Sequence, residues 1–178
     1  MLFELLMLGR GGQGVVTAGR IFAEAALRSG LFSQSFPEFG PERSGAPVRS
    51  YVRISDEPVM LRAPIENFDV AVVFERKLLD HRLVEMIRSG GLIVVGSETP
   101  VEFARSDIKW FYVDARKIVE ELNRPRSINL AMLGALCSVL HLVPLNNVEE
   151  IVRRRFGEGN AEVVRRAASR VVEVEAAA

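Results

Sequence analysis

The 178-residue chain holds 23 basic and 23 acidic residues, with 48% apolar and 26% charged positions. That balance excludes a disordered segment and argues against a protein whose main work is gripping nucleic acid. The single cysteine, Cys137, excludes an internal disulfide framework and any iron–sulfur or zinc centre built from several thiolates of this chain.

Phe3 to Leu8 is almost wholly apolar, as a strand buried on both faces requires. Gly9-Arg10-Gly11-Gly12-Gln13-Gly14 follows at once, with Gly9, Gly11 and Gly14 on the G-x-G-x-x-G spacing. Such a turn lets backbone N–H groups approach an anion and aims a helix N-terminus at it. A helix is expected from about Gly14 to Ser29, stopped by Gly30. Its small residues Ala18 and Gly19 would let it lie close on a sheet.

From Ser33 to Pro47 the prolines and glycines leave neither a helix nor a long strand. Val48 to Ser55 reads as a strand, with Val48, Ser50, Val52 and Ile54 alternating against Arg49, Tyr51 and Arg53. Asp56-Glu57-Pro58 makes a turn, and Val59 to Leu61 fits a short return strand. Phe68 to Phe74 is a second buried-type strand. Lys77 to Ser89 has helical spacing and ends at Gly90-Gly91. Strands follow at Leu92–Gly96 and Trp110–Val113, then helices at Ala115–Leu122 and about Asn129–Leu140. Two more helices fill about residues 147–174. Asn147 with Glu150 resembles a capping pair for the first, and Asn160 a cap for the second, whose stripe is Val163, Val164, Ala167 and Val171.

Strands alternating with helices imply one α/β domain over residues 1–178, Rossmann-like, with a mostly parallel sheet and helices on both faces. Ligands of such sheets sit beyond the carboxyl ends of the strands, where Gly9 to Gly14 must lie. Arg153-Arg154-Arg155 is a candidate basic patch, with a solvated helix face as the plainer reading. No segment is apolar over a length that spans a bilayer, and Glu4 without a basic leader argues against a signal peptide. A cytoplasmic protein is expected.

A dinucleotide enzyme would place an acid about 20 residues past the glycines. Glu38 is near that distance but stands between Pro37 and Pro41. His81 and His141 fall in helix patterns without a hydride-handling constellation. A nucleophile elbow is absent, as is the Gly-Lys-Ser/Thr ending of a phosphate loop. These absences fit a subunit that binds while another chain does the chemistry.

Residues Gly9 to Gly19, the stretch Phe39-Gly40-Pro41-Glu42-Arg43-Ser44-Gly45-Ala46-Pro47-Val48, Arg53 to Pro58 and Asn129 to Ala135 closely resemble the gamma subunit of 2-oxoacid:ferredoxin oxidoreductases. The pyruvate members are the nearest in pattern, with branched-chain 2-oxoacid or indolepyruvate members as the alternative. Many relatives carry a second arginine after Arg43, where this chain has Ser44.

The resemblance implies an assembly with alpha, beta and delta-type subunits. Those partners hold thiamine diphosphate, magnesium and the iron–sulfur clusters, and they pass electrons to ferredoxin. The assembled enzyme turns a 2-oxoacid into an acyl-CoA, and the gamma domain lies on the side where coenzyme A enters. The isolated chain would be inactive, and it would contact neither nucleic acid nor membrane. Gly9, Arg10, Gly11, Gly12, Gln13, Gly14 and Arg43 are the candidate coenzyme A contacts, with catalytic and metal residues expected on other chains. The Gly40–Val48 loop could instead dock a partner, with Arg43 paired to Glu42 or Glu38. Asn129 could cap its helix or face the ligand. A stand-alone dinucleotide- or CoA-binding module of the same fold is the alternative function.

Overall fold

In the computed structural model, which describes residues 1–38, 45–101, 103 and 105–175, β1 (Leu2–Arg10) is an interior strand of the sheet. Its residues Leu5 and Met7 face one layer, and Leu6 and Leu8 the other, all at most 4% exposed. The sheet has seven strands in the order β2 (Phe32–Glu38), β3 (Pro47–Ser55), β1, β4 (Phe68–Val73), β5 (Ile87–Gly96), β6 (Lys109–Val113) and β7 (Val172–Glu173). Strands β1, β4, β5 and β6 are parallel and form the centre. The flanks are antiparallel: β3 runs against both β1 and β2, and β7 against β6.

The helices are divided unevenly between the two faces. Helices α1 (Val15–Arg28), α3 (Ala115–Glu121), α4 (Ile128–Val139), α5 (Leu145–Phe156) and α6 (Glu158–Ala168) pack with the layer of Leu5 and Met7. Only the short α2 (His81–Glu85) and connecting segments cover the other face among the described residues. Helix α4 is buried on every side from Asn129 to Cys137, as an apolar helix inside a helical layer must be. Cys137 lies there, and burial pushes its thiol up to about 12.

The small residues of α1 do what their size allows. A Cβ on Gly19 would lie 2.3 Å from Ser50 Oγ of β3, so glycine lets the helix lie this close without displacing the Ser50 side chain. Gly30, at φ 81°, follows the end of α1 as expected. Its N–H donates to the Leu27 carbonyl, and that of Leu31 to Ala26, closing the helix.

Several elements differ from the sequence expectation. Residues 32–38 form a strand despite Pro37, because β2 is an edge strand and an edge tolerates a missing N–H. Residues 59–61 form no strand. Their segment is instead held by side chains of the sheet: Gln34 donates to the Val59 carbonyl, and Arg53 to those of Leu61 and Ala63. The helix read over 77–89 is broken into a single turn at Arg76–Leu78 and the short α2, and β5 begins at Ile87. Asp80 accepts from the Leu83 N–H and starts α2 afresh, while Ile87 pairs beside Phe68.

Asn147 and Asn160 do not cap their helices. Asn147 ties α5 to α1 by donating to Ser29 Oγ, and Asn160 accepts from Ser127 Oγ and donates to the Phe156 carbonyl. Helix α6 ends at Ala168, so Val171 lies beyond it and the chain closes in β7.

The alternation in β3 also misleads. Arg53 and Tyr51 were the polar face of the sequence pattern, yet they are 2% and 9% exposed. Tyr51 stacks between Phe36 and Phe68. Arg53 lies opposite Glu4 in register and donates to it at 2.8 Å. Arg88 donates to the other Glu4 oxygen at 2.6 Å and to Asp69 at 2.9 Å, so one charge ladder crosses four strands.

The three arginines at 153–155 are all ion-paired. Arg153 meets Glu149 and Glu158, Arg154 meets Glu150, and Arg155 meets Glu24 of α1. Their positive charge is balanced on the helix surface.

Candidate functional site

The glycine turn lies at the carboxyl end of β1, beside the end of β4. From β1 the chain moves to the β2–β3 flank, and later to β4 on the opposite side. The strand order therefore reverses at this point, which is where α/β sheets open a crevice.

Three of the glycines have distinct surroundings. A Cβ on Gly9 would meet Val15 at 2.5 Å, Gln13 at 3.0 Å and Phe74 at 3.1 Å. One on Gly14 would meet the Asn129 amide at 2.5 Å, and Gly14 has φ 75°. Gly12 is different: its φ is 88° and nothing lies within 4 Å of where a Cβ would stand. Gly9 and Gly14 close the packing, whereas Gly12 turns the chain beside open space.

The turn is braced from within. Arg10 N–H donates to Gln13 Oε1 at 2.7 Å, Gln13 N–H to the Arg10 carbonyl, and Gly11 N–H to the Ala46 carbonyl at 2.9 Å. Among the described residues, the N–H groups of Gly12 and Gly14 have no protein acceptor. Helix α1 has no side-chain cap and no acid in its first turn. Among the described residues, nothing therefore caps its first N–H groups or compensates the positive end of the helix dipole. An anion is the natural occupant of such a terminus.

Arg10 and Gln13 converge on a residue that the sequence reading missed. Arg10 Nε donates to Glu75 Oε2 at 2.8 Å, and Gln13 Nε2 to Glu75 Oε1 at 2.7 Å. Arg10 Nη1 also donates to the Gly45 carbonyl at 3.1 Å. Glu75 stands just past β4, as a charged residue after a buried strand. That position was the only signal, since the contact spans 65 positions. Arg43 lies outside the described residues.

Gln13 and Glu75 are on the wall of a cleft of about 370 Å³ past the carboxyl ends of β4, β5 and β6. Arg76, Lys77, Thr99 and Arg116 line it further along, and Arg76 donates to Thr99 Oγ1 at 3.0 Å. Asn129 lies below the turn. Its amide donates to the Gly14 carbonyl at 3.2 Å and its oxygen accepts from Leu130 N–H, so it fastens α4 to the start of α1. The residue at the head of α4 is Ser127.

His81 packs edge-on against Phe103, and His141 is exposed at the end of α4, so neither joins the cleft. No three His, Cys, Asp or Glu among the described residues gather as metal ligands. No helix among the described residues is long and apolar enough to cross a membrane.

Comparison with known proteins gives a consistent result. Residues 4–173 match the pyruvate ferredoxin/flavodoxin oxidoreductase family. The chain is 39% identical over 160 residues to pyruvate synthase subunit PorC of Thermotoga maritima, covering 88% of this chain and 83% of that one. It is 37% identical to the pyruvate/ketoisovalerate oxidoreductases common subunit gamma of Thermococcus kodakarensis, covering 98% of this chain and all of the other. The crystal structure of pyruvate oxidoreductase subunit PORC from Thermotoga maritima superposes with a TM-score of 0.85 at 36% identity, over 98% of this chain and 99% of that one. The glycine turn and the motifs after it therefore have the family origin that their pattern suggested: the chain belongs to the pyruvate ferredoxin/flavodoxin oxidoreductase family, in the subunit type named PorC or gamma among its relatives.

Proposed function

We propose that this chain is the coenzyme A-facing, non-redox subunit of a pyruvate-type 2-oxoacid:ferredoxin oxidoreductase, working with alpha, beta and delta-type partners in the cytoplasm. The observation that carries the reading is the uncapped start of α1 at the strand-order reversal, where the N–H groups of Gly12 and Gly14 have no acceptor among the described residues and Gly12 borders open space. Coenzyme A brings phosphates, and phosphates suit a helix N-terminus. In this reading they rest on Gly12, Gly14 and the first turn of α1. Arg43 adds a charge-assisted contact, as does the Arg10 Nη2 group, which has no partner among the described residues.

Thiamine diphosphate, magnesium and iron–sulfur clusters belong to the partner chains, where they supply the decarboxylation and the electron path to ferredoxin. This chain orients the coenzyme A phosphates so that the thiol end points to the partners.

Gly12→Asp puts a carboxylate at the open side of the turn, and Gly12→Asn puts a neutral group of the same shape there. Calorimetry on the assembled enzyme should show coenzyme A binding about tenfold or more weaker in Gly12→Asp than in Gly12→Asn. Equal affinity in the two variants would remove the phosphate role of the turn.

A further inference from the structure

We infer that Glu75 is the residue that sets the anion affinity of the glycine turn, by placing a carboxylate beside the phosphate seat and neutralising the charge of Arg10 from within. The inference rests on the coenzyme A reading above. Both Glu75 oxygens are engaged by the turn, one by Arg10 Nε at 2.8 Å and one by Gln13 Nε2 at 2.7 Å. A carboxylate with two oxygens on two donors is bound as an external anion would be.

The electrostatic consequence has a definite sign. Arg10 is the only basic residue within the turn, and Glu75 balances it. The pair is partly shielded, with the Arg10 side chain 35% and that of Glu75 23% exposed, so water and salt screen the interaction only in part. An incoming phosphate meets a like charge in the same cleft and an arginine whose Nε and Nη1 are already engaged. Like charges that share a site disfavour one another. Glu75 therefore weakens phosphate binding and leaves uncharged parts of a ligand unaffected.

The same contacts link the ligand seat to the segment leading into β3. Arg10 holds the Gly45 carbonyl with Nη1 while it holds Glu75 with Nε, and Gly11 holds the Ala46 carbonyl. An anion that draws Arg10 away from Glu75 also pulls on residues 45–46. Glu75 is thus a positioning and specificity residue, because it acts on the ligand through Arg10 and Gln13.

The test compares Glu75→Gln and Glu75→Ala with the parent in the assembled enzyme, using coenzyme A, inorganic pyrophosphate and phosphate-free pantetheine as probes. Both variants should bind coenzyme A and pyrophosphate about tenfold more tightly, with pantetheine unchanged. A purely structural role for Glu75 would weaken all three probes, and that result would overturn the inference. Unchanged affinity for the two phosphate probes would overturn it as well. If coenzyme A binding responds to Gly12→Asp but not to either Glu75 variant, only the role of Glu75 falls. If it responds to none of them, the coenzyme A reading falls with it.

Discussion

Arg53→Ala is expected to destabilise the fold by about 3–5 kcal/mol, the usual cost of removing one partner from a buried ion pair. The guanidinium is 2% exposed and sits over the Phe36 ring at 5.4 Å. It holds the Glu4 carboxylate and the carbonyls of Leu61 and Ala63. Alanine would leave Glu4 buried with half its partners and would free the segment that covers the β2–β3 face. Arg53→Met fills much of the volume without the charge and should cost less than alanine, because it leaves a smaller cavity. Urea unfolding at neutral pH measures both.

The same ladder sets a pH dependence. Burial alone would raise the Glu4 carboxyl, but hydrogen bonds from Arg88 and Arg53 outweigh it and hold the group below its ordinary 4.5. A carboxyl lowered in the folded state stabilises fully above its unfolded value. That stabilisation is lost as pH falls through the lowered value. The parent protein should therefore lose stability below about pH 4.5. Arg53→Ala should lose less over the same interval, because part of the lowering is gone.

Gly134→Ala is expected to destabilise by about 2 kcal/mol, although alanine is the better helix former by about 1 kcal/mol. The new Cβ would stand 2.0 Å from the Val164 carbonyl oxygen, which is backbone of α6 and has no rotamer to change. Helices α4 and α6 must then move apart, opening the layer that holds Leu133, Ala161 and Val164, each at most 1% exposed. Gly134→Leu should be worse and is expected to prevent α6 from docking. Thermal unfolding gives the loss, and hydrogen exchange along α6 shows where it falls. An alanine variant as stable as the parent would contradict the packing described for these helices.

Much of the fold was legible in the sequence because it depends on short-range pattern. The run Phe3–Leu8, the glycines and the Ala18-Gly19 pair specify strand, turn and close-packed helix within thirty residues of one another. The misread parts depend on distant partners. Arg53 is polar in the pattern and buried in the fold, because Glu4 meets it from 49 positions away. Pro37 signals a loop unless the strand is known to lie on an edge.

The candidate site divides in the same way. Gly9 to Gly14 could be located from spacing, yet the spacing did not tell which glycine packs and which opens to solvent. Gly12, outside the G-x-G-x-x-G positions, borders open space, whereas Gly9 and Gly14 are packed. Glu75 had no local mark beyond its place after β4, since Arg10 and Gln13 reach it across the sheet.

The most direct measurement is reconstitution of the oxidoreductase from its partner subunits, with and without this chain, followed by coenzyme A binding and coenzyme A-dependent pyruvate oxidation. The partners alone should bind coenzyme A poorly, a stoichiometric amount of this chain should restore both binding and turnover, and the chain alone should be inactive. Full coenzyme A affinity without the chain, or pyruvate oxidation by the chain alone, would contradict the account.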